Sequence, residues 1–167
     1  MEYREILENA RKIMAPNCRV CRECNGVACR GEIPGTGGKG TGRAFIHSFE
    51  YLAGIKIHMD LIYANQGQDT SCSFFGQTFA GPVFAAPISG LSNNYNGYLS
   101  EKTYAEALVP GTKAAGCAAF TGDGAADFFF TDPLSAVAAA DGVAIPTIKP
   151  WDKDKVLEKI RLAEQAG

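Results

Sequence analysis

The chain has 167 residues, of which 46% are hydrophobic and 20% charged, enough apolar material for a core and too much for a disordered tail. Net charge is −2, and no apolar run approaches the roughly 20 residues of a membrane span. These features predict a cytoplasmic protein with no nucleic-acid partner and no membrane span. The N-terminal residues, Met1 to Glu5, lack the apolar stretch of a signal peptide.

Charge is unevenly spread. Residues 1–43 carry eight Lys/Arg against five Asp/Glu, whereas residues 44–167 carry eight against thirteen. The N-terminal excess is too small for a nucleic-acid stripe but suits an anionic ligand or cluster. Between Leu61 and Ser100 the one charged residue is Asp69, which predicts burial in the protein or in an interface.

In chain order, Glu2 to Met14 reads as an amphipathic helix with Ile6, Leu7, Ala10, Ile13 and Met14 on one face, stopped by Pro16. Periodicity then vanishes. Pro16 to Gly42 holds Cys18, Cys21, Cys24 and Cys29, then a glycine-rich run from Pro34 to Gly42 that predicts backbone packed close to a neighbour. A short helix over 44–52 follows, then an alternating stretch, Ile55 to Ile62, of extended character. Ser71–Phe75 and Gln77–Phe79 read as a hairpin about Gly76. Pro82–Ile88 reads as a strand covered on both faces.

A strand–loop–helix rhythm comes next. A helix from Ser100 to about Ala115 precedes a buried strand at Cys117–Thr121, turned by Gly122-Asp123-Gly124. A helix over 132–140, with Pro133 at its first position, leads to a strand at Val143–Ile148. The last helix is capped by Asp152 and presents Val156, Leu157, Ile160 and Ala163 on one face. Strands alternating with helices at about 25–35 residues predict a parallel α/β sheet, specifically the first three units of a (β/α)8 TIM barrel. The expected division is an N-terminal helical and Cys/Gly-rich extension, 1–53, and the first part of a barrel, 54–167. The end at Gly167 reads as a helix feeding a further strand, so the chain is expected to be a fragment.

Three constellations carry chemistry. Cys18-x2-Cys21-x2-Cys24-x4-Cys29 has gaps used by zinc sites and iron–sulfur clusters, against the alternative of reduced thiols that merely pack. Gly35, Gly37 and Gly40 match G-x-G-x-x-G, but no strand precedes them and no helix opens on them, so a dinucleotide site is not expected. His47 and His58, the only histidines, lie outside the strand ends. Those ends, Ala86–Gly90, Thr121–Gly124 and Thr147–Trp151, collect small residues, hydroxyls and one lysine. This suits a flat, polar-edged cofactor, and equally suits ordinary tight turns.

The run Pro82-Val83-Phe84-Ala85-Ala86-Pro87-Ile88-Ser89-Gly90 resembles the FMN-dependent α-hydroxy-acid oxidase/dehydrogenase family, together with Glu101, Tyr104 and Ala105 and with Ala114-Ala115-Gly116. The lead-in Asp69–Ser71 and Phe75–Phe79 is similar too. The Cys18–Gly42 segment and Ile145–Trp151 resemble a clostridial-type branch of α-hydroxy-acid oxidising proteins. The resemblance implies FMN and an oxidoreductase that passes hydride from a 2-hydroxy acid to flavin. It places Ala86, Pro87, Ile88 and Ser89 along the flavin, and Thr121 and Gly122 at the second strand end. Thr147 stands where the family tends to have Gln, and Lys149 where it has an aromatic that meets substrate. The catalytic Lys, His and Arg of the family belong to later strands, so this chain alone is expected to bind FMN weakly without turnover. An FMN-dependent isomerase or synthase, a Cys-bound iron–sulfur or zinc protein, and an inactive half-barrel kept folded by homo-oligomer association are the alternatives.

Overall fold

A computed structural model describes residues 2–32 and 37–167. The chain divides into two compact units, one of residues up to Gln66 together with Leu91–Tyr98, the other of Gly67–Gly90 together with Leu99–Gly167.

The first unit is helical and loop-rich. Helix α1 (Tyr3–Met14) starts where Glu5 reaches back to accept the Glu2 N–H at 3.0 Å, and an Arg4–Glu8 pair one turn apart supports it. None of its residues is buried. Helix α2 (Arg43–Gly54) buries Ile46 and opens from a left-handed Gly42. The loop between them packs on itself and on α2, as its glycines predict. A Cβ on Gly26 would meet the Phe45 ring at 2.2 Å, and one on Gly37 would meet the Cys29 sulfur at 2.7 Å. A short helix, α3 (Leu91–Asn94), follows the second crossing into this unit. The Asn17 amide donates to the Asn93 carbonyl and that of Asn96 to the Ile13 carbonyl, fastening α3 to the end of α1.

The second unit opens with an antiparallel hairpin of β1 (Cys72–Phe74) and β2 (Gln77–Phe79), in register Cys72↔Phe79. Then come β3 (Phe84–Ala85), α4 (Glu101–Ala114), β4 (Ala118–Thr121), α5 (Phe128–Thr131), α6 (Leu134–Ala138), β5 (Ala144–Pro146) and α7 (Lys153–Ala166). Strands β3, β4 and β5 lie parallel in that order, with Ala85↔Ala119 and Phe120↔Ile145 as partners. Ser100 caps α4 by accepting the Thr103 N–H at 3.0 Å, and Asp152 caps α7 through the Lys155 N–H at 3.0 Å. The core is built mostly of small side chains: Ala105, Val109, Ala119, Ala136, Val137, Ala140 and Ala144. Alanine on both β4 and the helices lets α4 and α6 approach the sheet closely.

The expected partial TIM barrel is not what these residues form. Three parallel strands of two to four residues make a small sheet, and the other two strands pair antiparallel in a separate sheet. The strands are short because Pro82, Pro87 and Pro146 deny ladder donors and Gly116 and Gly122 bracket β4. One local reading is corrected as well. The helix expected over 132–140 is the shorter α6, and a separate helix, α5, ends before Pro133. Ile55–Ile62 pairs with no strand among the described residues. Nor is any described helix long and apolar enough to cross a membrane.

Candidate functional site

The C-terminal ends of β3, β4 and β5 converge on one residue, Asp123. Asp123, two residues past β4, is fully buried and makes a complete set of bonds. Its Oδ1 accepts from Lys159 Nζ of α7 at 2.5 Å and from the Gly124 N–H at 2.8 Å. Its Oδ2 accepts from the Trp151 indole at 2.7 Å and from the Lys149 N–H at 2.9 Å, both just past β5. The Ser89 hydroxyl, past β3, donates to the Asp123 carbonyl at 2.7 Å. One residue thereby ties together all three strand ends and the last helix.

Lys159 is only 4% exposed, yet its ammonium is well housed. It lies 4.7 Å from the centre of the Phe130 ring and 5.6 Å from Trp151, so aromatic faces supplement the carboxylate. Burial works against the charge on Asp123, but hydrogen bonds from Lys159, Lys149, Trp151 and Gly124 outweigh it, holding the carboxyl below the usual carboxylate range. Nearby, Lys155 pairs with Asp127 at 2.7 Å and sits 4.9 Å over the Trp151 ring.

These signs give a pH prediction. A carboxyl whose folded pKa is depressed contributes stability that is fully present above its unfolded value and is lost as pH falls through the folded one. The melting temperature should therefore hold down to about pH 4, the unperturbed Asp value, and decline at lower pH. Thermal melts followed by Trp151 fluorescence between neutral and acid pH check this. Stability that rises on acidification through that window would contradict it.

None of the flavin residues implied by the resemblance touches this carboxylate by side chain; Ser89 reaches the Asp123 main-chain carbonyl instead. Ala86 and Pro87 are exposed past β3, and Ile88 and Ser89 are half-buried. Gly122 is buried and serves packing: a Cβ there would meet the Ile88 carbonyl oxygen at 2.5 Å. Thr147 donates its N–H to the Thr121 carbonyl at 3.1 Å, extending the β4–β5 ladder by one bond. The Lys149 side chain is exposed and joins no ion pair among the described residues. Thr121 is buried at 4% exposure, and its hydroxyl alone among the described buried side-chain polar atoms finds no hydrogen-bond partner. An unsatisfied buried hydroxyl at a strand end is the donor and acceptor a bound polar edge would use.

The four clustered cysteines, Cys18, Cys21, Cys24 and Cys29, lie in the first unit. Cys21 and Cys24 are exposed and Cys18 and Cys29 half-buried, and none of the four is in a disulfide. Burial and then the neighbouring Cys18, Cys29 and Cys21 push the Cys24 thiol up, so the four share one neighbourhood. Tyr95 is pushed up as well, by burial and by Cys18 and Cys24. The donor chemistry suits zinc or an iron–sulfur cluster, but among the described residues no group of three or more His, Cys, Asp or Glu is arranged to hold a metal ion. Gly35 of the glycine motif lies outside the described residues.

The Asp123–Lys159–Trp151 network was not foreseen from sequence, where Asp123 read as a turn residue. A signal was present: Lys159 falls between Val156 and Ala163 on the apolar stripe of α7, a position that demands a buried partner. Comparison of the chain with protein-family models, with curated proteins and with solved structures finds no match.

Proposed function

We propose that the strand ends of the second unit form part of a flavin site in an FMN-dependent oxidoreductase acting on a 2-hydroxy acid. The observation that carries this reading is the Thr121 hydroxyl at the end of β4, buried and without a hydrogen-bond partner among the described residues. The likeness of Pro82–Gly90 to the flavin hydroxy-acid enzymes supports it. On this reading the isoalloxazine lies along Ala86 to Ser89 and Thr121 meets a polar ring edge. Lys149 attracts an anionic group of cofactor or substrate, and Thr147 and Gly122 shape the backbone beneath. Bound flavin supplies a hydride acceptor; the chain's part is to orient it. The proton-accepting base of such a reaction is assigned to no residue of this chain.

Thr121→Val separates binding from folding. Valine keeps the shape and removes the unsatisfied hydroxyl, so stability should be unchanged or slightly higher. Loss of one hydrogen bond to flavin weakens FMN binding about 5- to 10-fold, from roughly 1 kcal/mol. Titration of FMN fluorescence against the full chain and the variant measures both. Equal FMN affinity in the two proteins, or no quenching by either, would sink the proposal.

The cysteine loop supports a second reading, a thiol-bound zinc or iron–sulfur centre at Cys18, Cys21, Cys24 and Cys29, favoured by their shared neighbourhood. Elemental analysis of anaerobically purified protein tests it. Metal at one equivalent, lost in Cys21→Ser, supports it, and metal-free protein refutes it.

A further inference from the structure

We infer that residues 55–61 are a pairing strand through which two copies of this chain associate antiparallel about a two-fold axis. The segment follows α2 without helix, turn or bend from Ile55 to Asp60. Its odd positions are apolar and open to solvent: Ile55 is 59% exposed, Ile57 87%, Met59 76% and Leu61 88%. Its even positions, Lys56, His58 and Asp60, are polar. The side chains of His58 and Asp60 approach to 3.8 Å, which puts them on one side, as the period of two in extended backbone requires. Residues 56–62 make no backbone hydrogen bond among the described residues. This is an open strand edge with its own apolar row, the arrangement other chains add to.

The register of charges names the occupant. In an antiparallel pair centred on His58, Lys56 of each copy faces Asp60 of the other, and both ion pairs form by the same symmetry. The same register sets Ile57 opposite Met59 and Ile55 opposite Leu61, so apolar faces apolar throughout. Moving the register by two residues loses both Lys–Asp pairs, moving it by one sets polar against apolar, and a parallel arrangement can form only one such pair. The segment is complementary to itself in one geometry, and that geometry is a closed dimer. A two-stranded ribbon alone is marginal in water, so the association is weak and concentration-dependent. The exposed Tyr51 and Leu52 at the end of α2 extend the apolar surface at each end of the ribbon.

Charge reversal with rescue tests this on the full chain. Sedimentation equilibrium over a wide concentration range should show monomer and dimer. Lys56→Asp places like charges opposite each other twice and should weaken dimerisation about tenfold. Lys56→Asp combined with Asp60→Lys restores the pairing with its sign exchanged, and should return the dissociation constant to within about twofold of the starting chain. Both positions are exposed, so Trp151 fluorescence and the far-ultraviolet spectrum should not change. A monomer at every concentration would overturn the proposal. So would a double variant as weak as the single one.

Discussion

Asp123→Asn should destabilise the second unit by about 3–5 kcal/mol, the cost of leaving one partner of a buried ion pair behind. The asparagine retains approximate shape but deprives the Lys159 ammonium, 4% exposed and set against Phe130 and Trp151, of its ion-pair partner. Lys159→Met should cost less, because Asp123 keeps three donors: the N–H groups of Lys149 and Gly124 and the Trp151 indole. The order of the two variants, and not only their size, follows from the geometry. The double variant should fall short of the sum of the singles, since each removes the same interaction. Denaturant unfolding followed by Trp151, the chain's one tryptophan, reads all three. If Asp123→Asn unfolds within about 0.5 kcal/mol of the unaltered chain, the range of an ordinary surface change, the network does not hold the strand ends together.

Gly122→Ala should cost about 1–3 kcal/mol, as overpacking does. The added Cβ would stand 2.5 Å from the Ile88 carbonyl oxygen and 2.5 Å from the Ser89 Cβ. Two of its three nearest atoms are backbone, which cannot swing aside. The strand ends must separate, and with them the Ser89 hydroxyl that donates to the Asp123 carbonyl at 2.7 Å. Gly111→Ala is the contrast. Gly111 lies inside α4 with nothing within 4 Å of a new Cβ, so alanine there should stabilise by about 0.5–1 kcal/mol. Thermal melts of the two variants should move in opposite directions. A Gly122→Ala protein that melts as the unaltered chain does would mean that the β3 and β4 ends are not in contact.

The elements that sequence conveyed best are those fixed by local chemistry. Ser100 and Asp152 announce α4 and α7 because a short polar side chain before an amphipathic run has one good use, accepting the N–H three residues on. Ala118–Thr121 announces a buried strand because it is a short uncharged run bounded by Gly116 and Gly122. The barrel expectation failed for a non-local reason. Strand spacing is shared by many α/β arrangements, while closure depends on pairings that no local pattern encodes. Asp123 was missed for the same cause. Its partners lie 26 to 36 residues away, and only the misplaced charge of Lys159 on an apolar stripe hinted at them. Thr121 was singled out by the family resemblance alone, and its hydroxyl is the one buried side-chain polar atom without a hydrogen-bond partner among the described residues.

The most direct test of the flavin reading is residue-resolved amide mapping by nuclear magnetic resonance on the full chain, with FMN added in steps. The account predicts saturable shifts at Ala86, Ile88, Ser89, Thr121, Gly122 and Lys149, with the Cys18–Cys29 loop unmoved. Shifts confined to other residues, or none at millimolar FMN, would contradict it.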